Sequence, residues 1–231
     1  YRGNQKPEKH LGIYALYVLF YPQLVAGPIE RPQNLIHQFY ERHDFDYDRV
    51  TDGLKLMLWG FFKKMVIADK AAIFVDIVYN NVHSYQGVSL WVATTLFAFQ
   101  IYCDFSGYSD IAIGSAQVLG IKLMDNFNRP YFSKSISEFW KRWHISLSTW
   151  FKDYLYIPLG GNHVSKLRWY LNIATVFLVS GLWHGADWKF VIWGALHGFY
   201  QIFGIWTNSI RERIRLLLFS AAPLLSKIIR G

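Results

Sequence analysis

Between Asp76 and Asp104 the chain runs for 27 residues without a charged side chain. A helix rises about 1.5 Å per residue, so a run of this length exceeds the hydrocarbon thickness of a bilayer. Its second half, Leu90 to Phe99, predicts the strongest spanning helix in the chain. Two further charge-free runs follow, 18 residues from Trp169 to Ala186 and 21 from Phe190 to Ile210, joined by Asp187-Trp188-Lys189. They predict a helical hairpin. Hydrophobic residues make up 52% of the chain and charged residues 17%, against about 25% in soluble domains. This balance excludes a disordered chain and an ordinary soluble enzyme. A mean hydropathy of +0.12 is low for a bundle made only of spans. Polar or interfacial stretches must therefore separate the apolar runs. The fold expected is all-α: a multi-pass integral membrane helical bundle with re-entrant or interfacial amphipathic helices.

The remaining segments fit that frame. Leu11 to Ile29 carries no charge and reads as a first membrane segment, bent or broken by Pro22, Gly27 and Pro28. A helical pattern from Asp52 to Ile73 contains Lys55, Lys63, Lys64, Asp69 and Lys70, which suits an interfacial or bundle-lining helix. After the long apolar run, Asp104 and Asp110 bracket a hydroxyl-rich patch that leads into a small-residue helix from Ile111 to Leu123. Carboxylates at that depth need partners or water and should face the protein interior. Trp140, Trp143, Leu147, Trp150 and Tyr154 alternate in spacings of three and four and predict one apolar stripe on a single helix from Glu138 to Tyr156. The net charge is +8, and the basic residues flank the apolar runs instead of forming one patch, which speaks against nucleic acid. Lys166 and Arg168 before the hairpin and Arg211, Arg213 and Arg215 after it place both outer ends in the cytoplasm. Residues 1–231 read as a single membrane-embedded domain, an internal segment of a longer polypeptide without its N-terminal and C-terminal spans.

Among the 8 histidines, His184 carries the strongest case for chemistry. It lies in Ser180-Gly181-Leu182-Trp183-His184-Gly185, where flanking glycines let a substrate or another backbone approach closely. A neutral imidazole is well matched to deprotonating an alcohol near neutral pH. His144 has Trp140 four residues before it and Ser148 four after, so one helix would put all three on a face. His197 reads as a packing residue with a supporting role. Asp104 and Ser106 either bind a polar ligand or satisfy helix ends within the bundle. No phosphate loop, dinucleotide fingerprint, zincin motif or nucleophile elbow occurs. No His-x-x-x-His pair occurs either, and no metal site is assigned. Cys103 is the one cysteine, so no intrachain disulfide forms.

Several motifs taken together resemble the membrane-bound O-acyltransferase family, and within it the bacterial alginate O-acetylase branch. They are Leu24 to Ile29, Tyr102 to Asp110, Asn126-Phe127-Asn128-Arg129-Pro130-Tyr131, Phe139 to Trp150, Tyr156 to Gly161 and Ser180 to Gly185. The resemblance implies a multi-pass enzyme of the bacterial inner membrane. Such an enzyme moves an acyl group from a thioester donor, acetyl-CoA or an acyl carrier, to hydroxyls of an exported polysaccharide, alginate-like in the first instance. It implies His184 as the catalytic histidine and His144 as the second histidine of the same cavity. Asp104, Ser106, Trp140, Trp143, Ser148 and Trp183 become substrate-binding candidates. The donor is a co-substrate, with no cofactor bound, and the implied partners are the lipid bilayer, the polysaccharide and periplasmic or extracellular acetylation proteins. D-alanyl transfer to teichoic acid and peptidoglycan O-acylation use the same motifs. A proton-relaying channel or transporter is the competing class.

Overall fold

The computed structural model describes residues 6–221, and among them every regular element is a helix. The terminal residues Tyr1 and Gly231, on which the expectation of an internal segment rests, lie outside the described residues. The chain divides into two compact units, one running to Asn128 with His144–Leu147, the other comprising Arg129–Trp143 with everything from Ser148 onward.

In the first unit, α1 covers only Leu11–Leu19. Nine residues reach about 14 Å, so α1 alone does not cross a bilayer. Phe20 leaves the helix in an extended conformation and a single turn over Tyr21–Gln23 follows, with Pro22 buried. Gln23 Nε2 donates to the Tyr17 carbonyl at 2.8 Å, satisfying one of the carbonyls left open at the helix end. After the short α2 (Pro32–Leu35), α3 (Tyr47–Phe61) starts on the Asp46 side chain, which accepts from Arg49 N at 2.8 Å. A π-helical segment over Phe62–Ala68 joins α3 to α4 (Asp69–Asn80), so the charged pattern continues as one helical run.

Helix α5 spans Val88–Val118, 31 residues, and among the described residues it is the one helix long and apolar enough to cross a membrane. The sequence reading of two elements meeting at a polar patch is corrected here. Tyr102 to Asp110 is uninterrupted helix, and no helix ends lie there to be satisfied. Gly120, at φ +86°, closes α5 in a Schellman arrangement, with Ile121 N donating to Ala116 O and Gly120 N to Gln117 O, both at 2.9 Å.

Glycine decides how closely α3 and α5 pack. Gly53 lies against the Gly114 carbonyl and Gly60 against that of Gly107, antiparallel pairs two helical turns apart; a Cβ added at Gly60 would stand 2.6 Å from Gly107 O. Small residues of this kind let two backbones approach where larger side chains would hold them apart.

In the second unit, Ser135 caps α6 (Ile136–Arg142) by accepting from Glu138 N at 3.1 Å, while Glu138 Oε2 accepts from Lys134 N at 2.7 Å. The Lys134 amide, helped by Arg142, holds the Glu138 carboxyl below the usual carboxylate range. The predicted hairpin is present as α8 (Lys166–His184) and α9 (Trp188–Trp206), with Asp187 capping α9 through a 3.0 Å bond from Lys189 N. Gly181 and Gly194 face each other across it, and a Cβ on either would run into the carbonyl oxygen of Phe190 or Phe177. Asn172 fixes the base of α8 by donating to the carbonyls of Leu159 and Gly161 at 3.1 and 3.0 Å. Helix α10 (Asn208–Ala221) follows α9.

The stretch predicted as one tryptophan-faced helix is broken. Helix α6 ends at Arg142, Trp143 is extended, and His144 has φ +45° before α7 (Ile145–Phe151) begins. A non-glycine residue in the left-handed region costs free energy and persists only where its surroundings hold it. The alternating spacing of the tryptophans is real, but its two halves lie on different helices. A shared helical face for Trp140, His144 and Ser148 therefore does not exist.

Candidate functional site

His184 is the last residue of α8. Its Nδ1 lies 2.7 Å from the carbonyl oxygen of Ser180, one turn earlier in the same helix. A carbonyl oxygen can only accept, so this contact assigns the proton to Nδ1 and leaves the lone pair on Nε2. A neutral imidazole held in this tautomer has the form of a general base. Ser180 is buried, whereas the His184 ring at the helix end is exposed. Two indoles frame the ring, those of Trp183 and Trp193, each with its centroid 5.0 Å away and edge to face.

Trp193 extends this framework along the hairpin. Its ring meets His197 at 4.9 Å and Trp140 at 5.7 Å, and Trp140 meets Phe177 at 5.5 Å. Trp140 and Trp183 thus both belong to the aromatic cluster around His184, Trp140 through Trp193. Trp143 stacks on Phe139 at 5.5 Å, and Ser148 Oγ donates to the Trp143 carbonyl at 3.3 Å. Those two candidates contact each other at the break between α6 and α7.

In the first unit His144 is buried, at 6% exposure, with Phe105 edge to face at 4.6 Å. Its turn is held by Asn126, which is 1% exposed. The Asn126 carbonyl accepts from Ile145 N at 2.9 Å, and its side-chain oxygen accepts from Ser146 N and Ser146 Oγ at 3.2 and 2.9 Å. Its amide donates to Ser109 Oγ on α5 at 3.1 Å. One asparagine therefore ties the strained turn to α5. Sequence reasoning quoted Asn126 only as part of a motif, and nothing in its local spacing points to this role.

Asp104, Ser106 and Asp110 find their partners on the π-helical segment. Lys63 Nζ lies 2.7 Å from Asp110 Oδ2 and donates to Ser106 Oγ at 3.0 Å. Lys64 Nζ lies 2.6 Å from Asp104 Oδ1 and 3.0 Å from Asp69 Oδ1. Consecutive lysines thus serve two carboxylates that lie six residues apart on α5. The signal was visible as two acidic residues in an apolar run and two lysines in a charged helix, but no rule of spacing joins them.

Among the described residues the first unit holds one helix long and apolar enough to cross a bilayer, with a buried ion pair against it, and the second holds a glycine-packed hairpin that ends in His184. The chain belongs to the membrane-bound O-acyltransferase family, whose model matches residues 10–230. It is 47% identical over 191 residues to the peptidoglycan O-acetyltransferase of Helicobacter pylori, covering 82% of this chain and 36% of that protein. To the probable alginate O-acetylase AlgI of Azotobacter vinelandii it is 45% identical over 198 residues, 86% of this chain and 39% of that one. The teichoic acid D-alanyltransferase of Bacillus subtilis is 29% identical over 230 residues, covering 89% of this chain and 55% of the relative. The chain spans about two fifths of the length of the first two relatives.

Proposed function

We propose that this chain carries the transfer centre of an O-acyltransferase that moves an acetyl group from a thioester donor to hydroxyls of an exported, alginate-like polysaccharide. The observation that carries the reading is the bond between His184 Nδ1 and Ser180 O, which leaves Nε2 as the acceptor. In the reaction, the sugar hydroxyl oxygen attacks the thioester carbonyl carbon while its proton passes to His184 Nε2. The tetrahedral intermediate collapses, the carbon–sulfur bond breaks, and the imidazolium returns the proton to the departing thiolate. The sugar keeps the ester and the histidine is restored.

Trp183 and Trp140 are assigned to the walls that receive substrate near this base, supported by their place in the aromatic cluster. His144 takes the second histidine's part by its motif, and the turn held by Asn126 supports a fixed ring. Trp143, Ser148, Asp104 and Ser106 remain assigned to polymer or donor contacts on the motif alone. In this reading the protein is a multi-pass inner-membrane enzyme with interfacial elements, the ends of the hairpin beside Arg168 and Arg211 facing the cytoplasm. The donor comes from that side, as acetyl-CoA or an acyl carrier. Periplasmic acetylation proteins complete the transfer. The likeness to the Helicobacter pylori protein favours one second reading, in which peptidoglycan is the acceptor.

The test is the ester content of the cell's exported polysaccharide and of its peptidoglycan, with and without the full-length protein. Loss of acetate from the exported polymer supports the reading. Loss from peptidoglycan alone moves the acceptor, and release of D-alanine in place of acetate changes the acyl group.

A further inference from the structure

In the first unit a cavity of about 380 Å³ lies between α3 and the C-terminal end of α5. Arg49, Gln117, Lys122 and Asp125 supply polar groups to its lining, and Leu56 and Ile113 are part of its apolar wall. The fold fixes these walls. Gln117 Nε2 donates to the Arg49 carbonyl at 3.4 Å and so joins α5 to α3. Gln38 holds the backbone of Lys122 twice, its amide donating to Lys122 O at 2.9 Å and its side-chain oxygen accepting from Lys122 N at 2.8 Å.

Arg49 is incompletely satisfied. Its Nη2 donates to the Asp44 carbonyl at 2.8 Å, while Nε is buried without a partner. Charged donors left in that condition are costly and few in native structures. Among the described residues neither Arg49 nor Lys122 has a carboxylate against it. Arg49 is only half-buried, so the cavity gives its guanidinium room to turn Nε toward an oxygen placed there. Guanidinium and ammonium groups converging on one space suit a phosphate.

Charge and depth narrow the occupant. Two cations and the Asp125 carboxylate leave one positive charge, which a phosphodiester monoanion matches. Asp125 then accepts from a hydroxyl of the same ligand. The 31 residues of α5 rise about 46 Å, the thickness of a bilayer with its headgroups, so its C-terminal end lies at headgroup depth. Basic pockets beside membrane helices at that depth are suited to anionic headgroups. We propose that this cavity binds the phosphodiester of an anionic, hydroxyl-bearing lipid headgroup, held by Arg49 and Lys122. Leu56 and Ile113 receive the apolar part of the molecule, and the bound lipid bridges α3 to the segment that follows α5.

The test is native mass spectrometry of the full-length protein in detergent. Three probes are titrated: phosphatidylglycerol, phosphatidylcholine with the same acyl chains, and glycerophosphoglycerol, which has the phosphodiester and no chains. Lys122→Gln removes an exposed charge and keeps the backbone bonds to Gln38, while Arg49→Gln removes the half-buried one. Each raises the dissociation constant of the tightest phosphatidylglycerol about tenfold or more, as loss of one charge-assisted hydrogen bond predicts. Lys55→Gln, at an exposed lysine of α3 outside the cavity, leaves it as in wild type. Glycerophosphoglycerol bound as tightly as the lipid, with the same losses in the two variants, supports the phosphodiester site and assigns it to a free ligand in place of a lipid. Wild-type affinity in both Lys122→Gln and Arg49→Gln overturns the site. An equal loss in Lys55→Gln, or phosphatidylcholine bound as tightly as phosphatidylglycerol, overturns it too.

Discussion

The pair formed by Lys63 and Asp110 offers a sharp test of how the charged helix and α5 are joined. Lys63 is 8% exposed and the Asp110 side chain 22%, and their 2.7 Å contact is reinforced by Ser106. Lys63→Met removes the cation and leaves a carboxylate facing the helix interface without its partner. Breaking a buried pair from one side costs about 3–5 kcal/mol, because the remaining charge is stranded. Replacing both partners, Lys63→Met with Asp110→Leu, removes the stranded charge and recovers most of that loss. Lys64 supplies the internal control. Its contacts with Asp104 and Asp69 are far more open, and pairs so exposed are worth about 0–1 kcal/mol. The measurement is thermal unfolding of the full-length protein in detergent, followed by fluorescence-detected size exclusion for wild type and the three variants. The reasoning requires a large loss for Lys63→Met, recovery in the double variant and a small effect for Lys64→Ala. A Lys63→Met protein as stable as wild type, or a double variant no better than the single, refutes it.

Other consequences follow from the same geometry. Asn126→Ala removes three side-chain hydrogen bonds from the His144 turn and leaves buried partners behind, a loss of about 2–4 kcal/mol; the same unfolding assay reads it, and an unchanged midpoint would count against Asn126 as the anchor. Gly194→Leu cannot fit beside the Phe177 carbonyl without separating α8 from α9, so polymer ester content should fall further than membrane abundance, while Gly204→Leu, with open space at its Cβ, should leave both near wild type. The lowered pKa of Glu138 means its bond to Lys134 N supports the fold above the ordinary carboxylate range and is lost as pH falls through the depressed value; Glu138→Gln should flatten the acid limb of the unfolding midpoint, and an unaltered acid limb would show that the cap does not matter there.

How much of this was legible in the sequence depends on whether the signal is local. The hairpin was, because charge-free runs bounded by Asp187 and by basic residues mark α8 and α9 to within a few residues. His184 was singled out for its glycines and its apolar setting, and its tautomer follows from a bond within its own helix. The break at His144 was not legible. A non-glycine residue at φ +45° is kept there by Asn126, 18 positions away, and the regular tryptophan spacing points the other way. Asp104 and Asp110 resemble the end of a helix, which suggests two pieces; the partners that serve them inside one continuous α5 are Lys63 and Lys64, forty or more residues earlier in the chain. Trp193 escaped notice because its contact with His184 exists only once the hairpin has closed.

The central claim is that His184 accepts the proton of the attacking hydroxyl. Its most direct test is the O-acyl content of the exported polysaccharide from cells carrying the full-length protein, wild type against His184→Ala, with equal membrane abundance established by immunoblot. The account predicts loss of the ester at unchanged abundance. Ester at the wild-type level in the variant would remove His184 from the chemistry.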